Sequence, residues 1–542
     1  MQVLQRLHKP SPHTVRVVRA SMVASLAAGL FGFDTGSIGA ITTMDEFEKT
    51  FGGGELGELL RGVIVSLILV PSGVTGVLAG TVADRLSRKW TISLGAAIFA
   101  IGSAISAGSV TSLGVLMLGR CIAGLGEGLF LGILGVYLSE ISPRHLRSQM
   151  LLLQQLYCTG AVAAGFFVCY GTVKIPSSMS WRFPFILQTF FASVLAVTAP
   201  FMPYSPRWLL SKGRREEAER IIDKLVAPEH ADERRELMST PPASKMSQWE
   251  AMKDIWSPGV RGRTILGCMC NIFQQLSGID FVLFFAPLLF EQAGLDPSTS
   301  SFIASGVTGL VLVACVIAGT FYIDKVGRRK IWLVGSAATS FTLYVIGILY
   351  ATGGARTPVG KWVVIVFIEA FAVSFTSSIS LVTKLYAAEI QPSRTRAAAT
   401  SFGQGMNQLV NFGVAVSGPF FLSASSSGPY LTYASFTALG CLFGYLFMPE
   451  VAGSSLEAID KTFEGSAMAV SVPRIFQAAR LTEVRQRKNS RSQSANLPGE
   501  TRDEIRRHFD ATELQTIGED GAVAVEDDEE DIRVPTAGRA RA

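Results

Sequence analysis

The sequence predicts an all-α membrane protein of twelve transmembrane helices in two six-helix bundles, with short cytoplasmic helices between the halves. Three observations lead there: a composition too apolar for a water-soluble chain, apolar segments of bilayer length that recur along it, and polar words that repeat at one spacing in each half. Of 542 residues, 49% are hydrophobic and 17% charged, and mean hydropathy is +0.36. Soluble domains carry about 25% charged residues.

A hydrocarbon core about 30 Å thick asks for about 20 apolar residues per helix. Such segments cover residues 17–39, 58–83, 90–109, 113–139, 149–171, 183–203, 262–291, 299–323, 331–352, 361–388, 398–423 and 428–449. Met1 to Arg19 is polar and basic, unlike a cleavable leader, and the first apolar run is long enough to stay as a helix. All seven cysteines fall inside the segments and none forms a CxxC pair, the pattern of small buried apolar residues.

The connections between segments sort by charge. DRLSRK (84–89), SPRHLR (142–147), SKGRREEAER (211–220), DKVGRRK (324–330) and PSRTR (392–396) lie on one side, and the opposite loops hold few Lys or Arg. The positive-inside rule therefore assigns both termini and the 204–261 connection to the cytoplasm. These basic clusters are short and tied to helix ends, so the net charge of +5 does not point to nucleic acid. Neither soluble segment holds a nucleophile–base constellation, phosphate loop or metal-ligand cluster, which excludes the common enzyme classes and predicts no cofactor or metal.

Self-similarity supplies the domain plan: a cytoplasmic N-terminus (1–16), a first bundle (17–203), a helical cytoplasmic linker (204–261), a second bundle (262–449) and a cytoplasmic tail (450–542). After the second span comes Asp84-Arg85-Leu86-Ser87-Arg88-Lys89, and after the eighth Asp324-Lys325-Val326-Gly327-Arg328-Arg329. EISPRHLR (Glu140 to Arg147) follows the fourth span and EIQPSRTR (Glu389 to Arg396) the tenth, with Glu, Pro and Arg in identical register. RREEAERIIDKLV in the linker has helical periodicity, and the tail beyond Gly465, ending in DDEED at 527–531, is too polar to offset the entropy of ordering.

These words, with GFDTG (32–36), GRCIAGLGEG (119–128), WRFPFILQ (181–188), SPRWL (205–209), QQLSGID (274–280) and PEVAGSSLEAID (449–460), resemble the signatures of the major facilitator superfamily, specifically its sugar porter family, in a fungal-type version. The resemblance spans about residues 25 to 460. It implies a substrate site near the midplane, exposed to each side in turn as the halves rock, and a plasma-membrane, monomeric carrier working with a small sugar-like substrate, protons and the lipid bilayer.

A carboxylate at a helix end, such as Asp84 or Asp324, can hold backbone N–H groups or basic side chains across the bundle and so lock two helices. By resemblance the full gating network is Asp84, Arg85, Arg88, Glu140, Arg147, Asp324, Arg328, Arg329, Glu389 and Arg396; the alternative is a set of positive-inside anchors. Ser87 stands where the family usually has Gly, which predicts a less tight first turn.

Charges inside the spans are expensive and mark functional positions. Asp34 and Arg120 can pair, or Asp34 can take up a proton, and alternation between these states would convert proton binding into movement. Proton-coupled members of the family carry the same two residue types at matching positions; the alternative is a static pair that holds helices together. Gln404, Asn407, Gln408 and Asn411 fall at i, i+3, i+4 and i+7, one amide stripe suited to a polyhydroxylated ligand, or else glue between helices. The resemblance adds Gln155, Gln274 and Gln275 as substrate-binding residues.

Three substrate-facing positions depart from the family: Asp280 where Asn is common, Lys384 where a Gly-Pro-x-x-Trp element ends, and Gln408 where Trp is usual. Phe284 and Phe285 replace tyrosines. Lys384 can pair with Asp280 or receive a substrate carboxylate, as of a uronate or quinate-like acid. Glu127 and Glu369 are further carboxylates within the spans, each a second proton site or a helix-end residue; Glu127 lies two turns from Arg120, too far for direct pairing. The function these features predict is proton-coupled symport of a monosaccharide or related polyol or sugar acid, against a carboxylate-selective carrier, a passive uniporter or a transporter-like nutrient sensor.

Overall fold

The computed structural model describes residues 12–51, 57–110, 112–143, 146–227, 248–295, 300–392 and 395–451, together with Arg234, Met238 and Phe463. The tail beyond residue 463, the middle of the linker and the Asp324 side chain lie outside the described residues. All long elements are helices, because a backbone in hydrocarbon must satisfy its own hydrogen bonds.

The first bundle comprises α1 (Pro12–Ile41), α2 (Glu58–Leu86), α3 (Arg88–Gly108), α4 (Leu113–Ile141), α5 (Arg147–Thr172) and α6 (Met179–Phe201). The second comprises α7 (Arg261–Phe284), α8 (Ser300–Val326), α9 (Arg328–Ala351), α10 (Pro358–Glu389), α11 (Arg396–Ala424) and α12 (Gly428–Phe447). Eleven of these are long and apolar enough to cross a bilayer. The exception, α11, has the length, 29 residues, but carries the amide stripe in its middle. Between the bundles, Pro206–Ser211, Arg215–Leu225 and Gln248–Asp254 are short helices.

Four local breaks shape the interior. Leu67 and Ile68 interrupt α2 as a turn. Gly278 sits at φ 79° and ends the first part of α7, so the seventh span is discontinuous rather than one continuous helix; a Cβ there would lie 2.6 Å from the Tyr433 ring. A further short helix, Ala286–Gln292, then carries the chain on after Phe285. In α10 a π turn at Thr376–Ser380 widens the helix, the kind of one-turn insertion that concentrates at functional sites.

The bundles meet through small residues. On α2 and α11, a Cβ on Gly405 would lie 2.7 Å from the Gly73 carbonyl, and one on Gly76 3.3 Å from the Gly405 Cα. Nearer the loop-motif side, Ser401 Oγ donates to the Gly132 carbonyl of α4 at 2.9 Å. On the opposite side α5 and α8 close up where Gly309 faces Ala163 at 2.6 Å and Gly306 faces Phe167 at 2.8 Å for an added Cβ. Gly39 of α1 lies against the Phe284 carbonyl so closely that any side chain would collide with it.

Candidate functional site

Within the first bundle, α1 and α4 bring Asp34 and Arg120 together. Arg120 Nη1 and Nη2 donate to Asp34 Oδ1 and Oδ2 at 3.0 and 3.1 Å, a fork matched to a carboxylate. Both side chains are buried, at 1% and 4% exposure for Arg120 and Asp34. Gln188 of α6 donates a third bond to Asp34 Oδ1 at 3.1 Å. Arg120 Nη2 also reaches the Val65 carbonyl at 2.8 Å, just before the interruption in α2. The ion pair is therefore wired to a bend in a helix that packs on the second bundle.

The central chamber lies beside this pair. Thr35, the neighbour of Asp34, lines it, as do Gln155, Gln274, Gln275, Asp280, Lys384 and Asn407. It continues toward the loop-motif side past Gln154, Ala388 and Thr400, with Gln155, Ser380, Lys384 and Gln404 on the walls of both parts. Where Gly39 meets Phe284 and Gly306 meets Phe167, the helices leave no room on the other side. The cavity thus extends toward one face of the protein.

The stripe on α11 does two jobs. Gln404, Asn407 and Gln408 line the chamber, but most of the amides also bind protein. Asn411 Nδ2 donates to Asp280 Oδ2 at 2.5 Å, and Gln275 Nε2 to the same oxygen at 2.9 Å. Asn407 Nδ2 donates to the Asn271 carbonyl at 3.1 Å and its Oδ1 accepts from Gln275 at 3.1 Å. Gln408 Nε2 crosses between bundles, donating to Glu127 Oε1 at 2.9 Å and Ser72 Oγ at 3.1 Å, and Ser72 Oγ lies 3.1 Å from the same Glu127 oxygen. Glu127 Oε2, Gln408 Oε1 and Asn411 Oδ1 are buried without a protein partner.

Glu127 is fully buried in the middle of α4 rather than near a helix end, and makes no ion pair with Arg120. Glu369 also lies mid-helix, on α10, accepting from Thr308 of α8 at 2.5 Å. Lys384 and Asp280 face the same chamber but do not form an ion pair.

The duplicated words form two clusters. In the first bundle, Arg88 donates through Nη1 to Asp84 Oδ1 at 2.8 Å and through Nε to Glu140 Oε2 at 3.0 Å. In the second, Arg328 donates to Glu389 Oε1 at 3.1 Å, while the N–H groups of Arg328 and Arg329 are capped by Glu450 at 2.9 and 3.2 Å. Arg396 donates to the Gln391 carbonyl at 3.1 Å, and Arg147 opens α5. Arg85 is exposed and stands apart from these clusters. Ser87 has φ 94°, the only positive φ of a non-glycine among the described residues, and Gly327 in the matching turn has φ 99°.

Sequence reasoning missed Gln188, Ser72 and Glu450 as participants. Gln188 and Glu450 belong to words that carry the family resemblance, and each is a lone polar residue beside an apolar run. Ser72 left no signal, because small hydroxyl residues are common in membrane helices.

The family model for "Sugar (and other) transporter" matches residues 20–463. The chain is 32% identical over 446 residues to the glucose transporter GlcP of Staphylococcus epidermidis, covering 81% of this chain and 95% of that one. It is 30% identical over 482 residues to probable polyol transporter 6 of Arabidopsis thaliana, covering 84% and 96%. Among solved structures, the proton:xylose symporter XylE bound to 6-bromo-6-deoxy-D-glucose matches with TM-score 0.71 at 23% identity, over 83% of this chain and 100% of that one. XylE from E. coli in a partially occluded inward-open conformation gives 0.67 at 22% identity, over 81% and 100%. The chain therefore belongs to the sugar (and other) transporter family, the sugar porters of the major facilitator superfamily, and is a multi-pass membrane transporter rather than an enzyme.

Proposed function

We propose that the protein is a proton-coupled symporter that carries a monosaccharide, or a closely related polyol or sugar acid, across the plasma membrane by alternating access. The loop-motif side and both termini face the cytoplasm in this reading, the 17–203 and 262–449 bundles are the rocking bodies, and the carrier works as a monomer. The observation that carries it is the buried Asp34–Arg120 fork, one helix position from the chamber wall and bonded to the backbone beside the bend in α2.

Protonation of Asp34 removes the charge that holds the guanidinium. Arg120 then shifts its grip on Val65, α2 relaxes at Leu67–Ile68, and the α2–α11 contact between bundles changes with it. Gln155, Gln274, Gln275, Asp280, Lys384, Asn407, Gln408 and Asn411 form the solute site, with the amides supplying donors and acceptors for hydroxyl groups. The Arg88–Glu140 and Arg328–Glu389 clusters act as gates at the helix ends. A neutral solute moving with one proton draws on the membrane potential, about 2.3 kcal/mol per charge per 100 mV; a monoanion moving with one proton is electroneutral and draws on the pH gradient alone.

Purified protein in proteoliposomes tests this with labelled glucose, sorbitol and galacturonate. An imposed inward proton gradient is expected to drive accumulation of at least one of them, and Asp34→Asn to abolish accumulation while solute exchange at equal concentrations survives. Uptake that only equilibrates the solute, whatever the gradient, would make the protein a passive uniporter, and gradient-driven accumulation unchanged in Asp34→Asn would take the proton site away from Asp34.

A further inference from the structure

Lys384 stands on the chamber wall and feels the charge of Asp280 across the chamber, without a contact between them. Its side chain lines both the central chamber and the extension toward the loop-motif side. Among the described residues it makes neither a hydrogen bond nor an ion pair. The carboxylate that shares the chamber, Asp280, is engaged elsewhere: its Oδ2 takes two amide donors, Asn411 at 2.5 Å and Gln275 at 2.9 Å. Those amides belong to α11 and α7 and hold the carboxylate at their own wall, out of ion-pair reach of the ammonium.

The placement of Lys384 is built into α10. The π turn at Thr376–Ser380 ends four residues before it, so the helix that presents it is reset immediately upstream. Lys384 is only partly buried, so an anion that enters the chamber can reach its ammonium directly.

We infer that Lys384 is the specificity-determining residue of the solute site and that it selects a polyhydroxylated monocarboxylate over the corresponding neutral sugar or polyol. The carboxylate of the solute binds the ammonium. Its hydroxyl groups meet the amides of Gln155, Gln274 and Gln404, which line the same walls. A dianion such as a sugar phosphate is disfavoured, since one cation faces it and the Asp280 carboxylate repels the second charge. This inference rests on the transport reading for its site, but not on proton coupling.

The test is equilibrium binding to the full chain in nanodiscs, without any gradient, using matched pairs: galacturonate against galactose and gluconate against sorbitol, with glucose 6-phosphate as the dianion. A hydrogen-bonded charge pair corresponds to about 10- to 100-fold in affinity. The unmodified protein is expected to bind an acid at least tenfold tighter than its neutral partner. Lys384→Met should weaken acid binding at least tenfold more than it weakens binding of the neutral partner, so that the preference falls to near unity, and Lys384→Arg should keep the preference. Equal or tighter binding of the neutral partners by the unmodified protein overturns the inference, as does an equal loss of acid and neutral affinity in Lys384→Met, or tightest binding of the phosphate. Because binding is read without a gradient, loss of proton-driven uptake in the proteoliposome assay would sink the coupling reading and leave this result standing.

Discussion

The two bundles share a plan at their ends and part company at the midplane. Each has an Arg at the start of its third helix bonded to a Glu at the end of its fourth, Arg88 with Glu140 and Arg328 with Glu389. Inside, the first bundle gives its carboxylate a guanidinium, the Arg120 fork on Asp34. The second gives Asp280 neutral amides from Gln275 and Asn411 and sets its cation, Lys384, on the cavity wall. The repeated words thus keep one geometry in both halves, while the buried charges differ: one half holds a closed ion pair, the other a carboxylate bound by amides and a lysine on the chamber wall.

The largest effect should come from breaking the closed pair. Arg120→Leu strands Asp34 in the core and is expected to cost about 3–5 kcal/mol, read as a fall in thermal stability in detergent. Asp280→Asn, where only hydrogen bonds to a charged acceptor are weakened, should cost about 1–3 kcal/mol. The reverse ranking would mean that the bundles do not differ as described.

Smaller effects probe the two turns. Gly327→Ala places a Cβ about 2.5 Å from Glu450 Oε2 at φ 99°, and backbone strain of this kind costs about 1–3 kcal/mol. Ser87 already bears a Cβ at φ 94° and ψ 158°, a region nearly reserved for glycine. The neighbouring Lys89 donates to the Pro200 and Met202 carbonyls at 2.7 and 3.1 Å and lies 3.7 Å from the Tyr204 ring centroid. Ser87→Gly is therefore expected to stabilise the protein by about 1 kcal/mol after the entropy of the added glycine is counted. A destabilised Ser87→Gly would show that the serine is held by something the second copy lacks.

Much of this architecture was legible in the residues. Apolar runs of bilayer length located the helices, and even α11 could be placed, although its stripe makes it the least hydrophobic of the set. Identical spacing in EISPRHLR and EIQPSRTR anticipated that Glu140 and Glu389 would hold matching positions. A lone Asp and a lone Arg in α1 and α4 suggested their own pairing, because hydrocarbon penalises any other arrangement. What stayed hidden was everything set by contacts across the bundles. The link from Glu127 through Ser72 to Gln408 joins residues 281 positions apart, and helical periodicity holds no information on such meetings. The π turn in α10 was equally silent, since TSSIS reads as ordinary helix. Arg85 shares the cationic word of Arg88, but its place one residue from the end of α2 turns it toward solvent, a distinction that composition does not encode.

The contact among Gly73, Gly76 and Gly405 carries one last consequence. Backbone lies close to backbone there, with only Val77 and Leu409 side chains beside it. If the bundles rock as proposed, such a contact would work like a dry bearing, adding little to the barrier for turning over and leaving the pace of the cycle to the charged clusters at the rim. Bulk introduced at Gly405 would seize the bearing while leaving the solute site chemically intact.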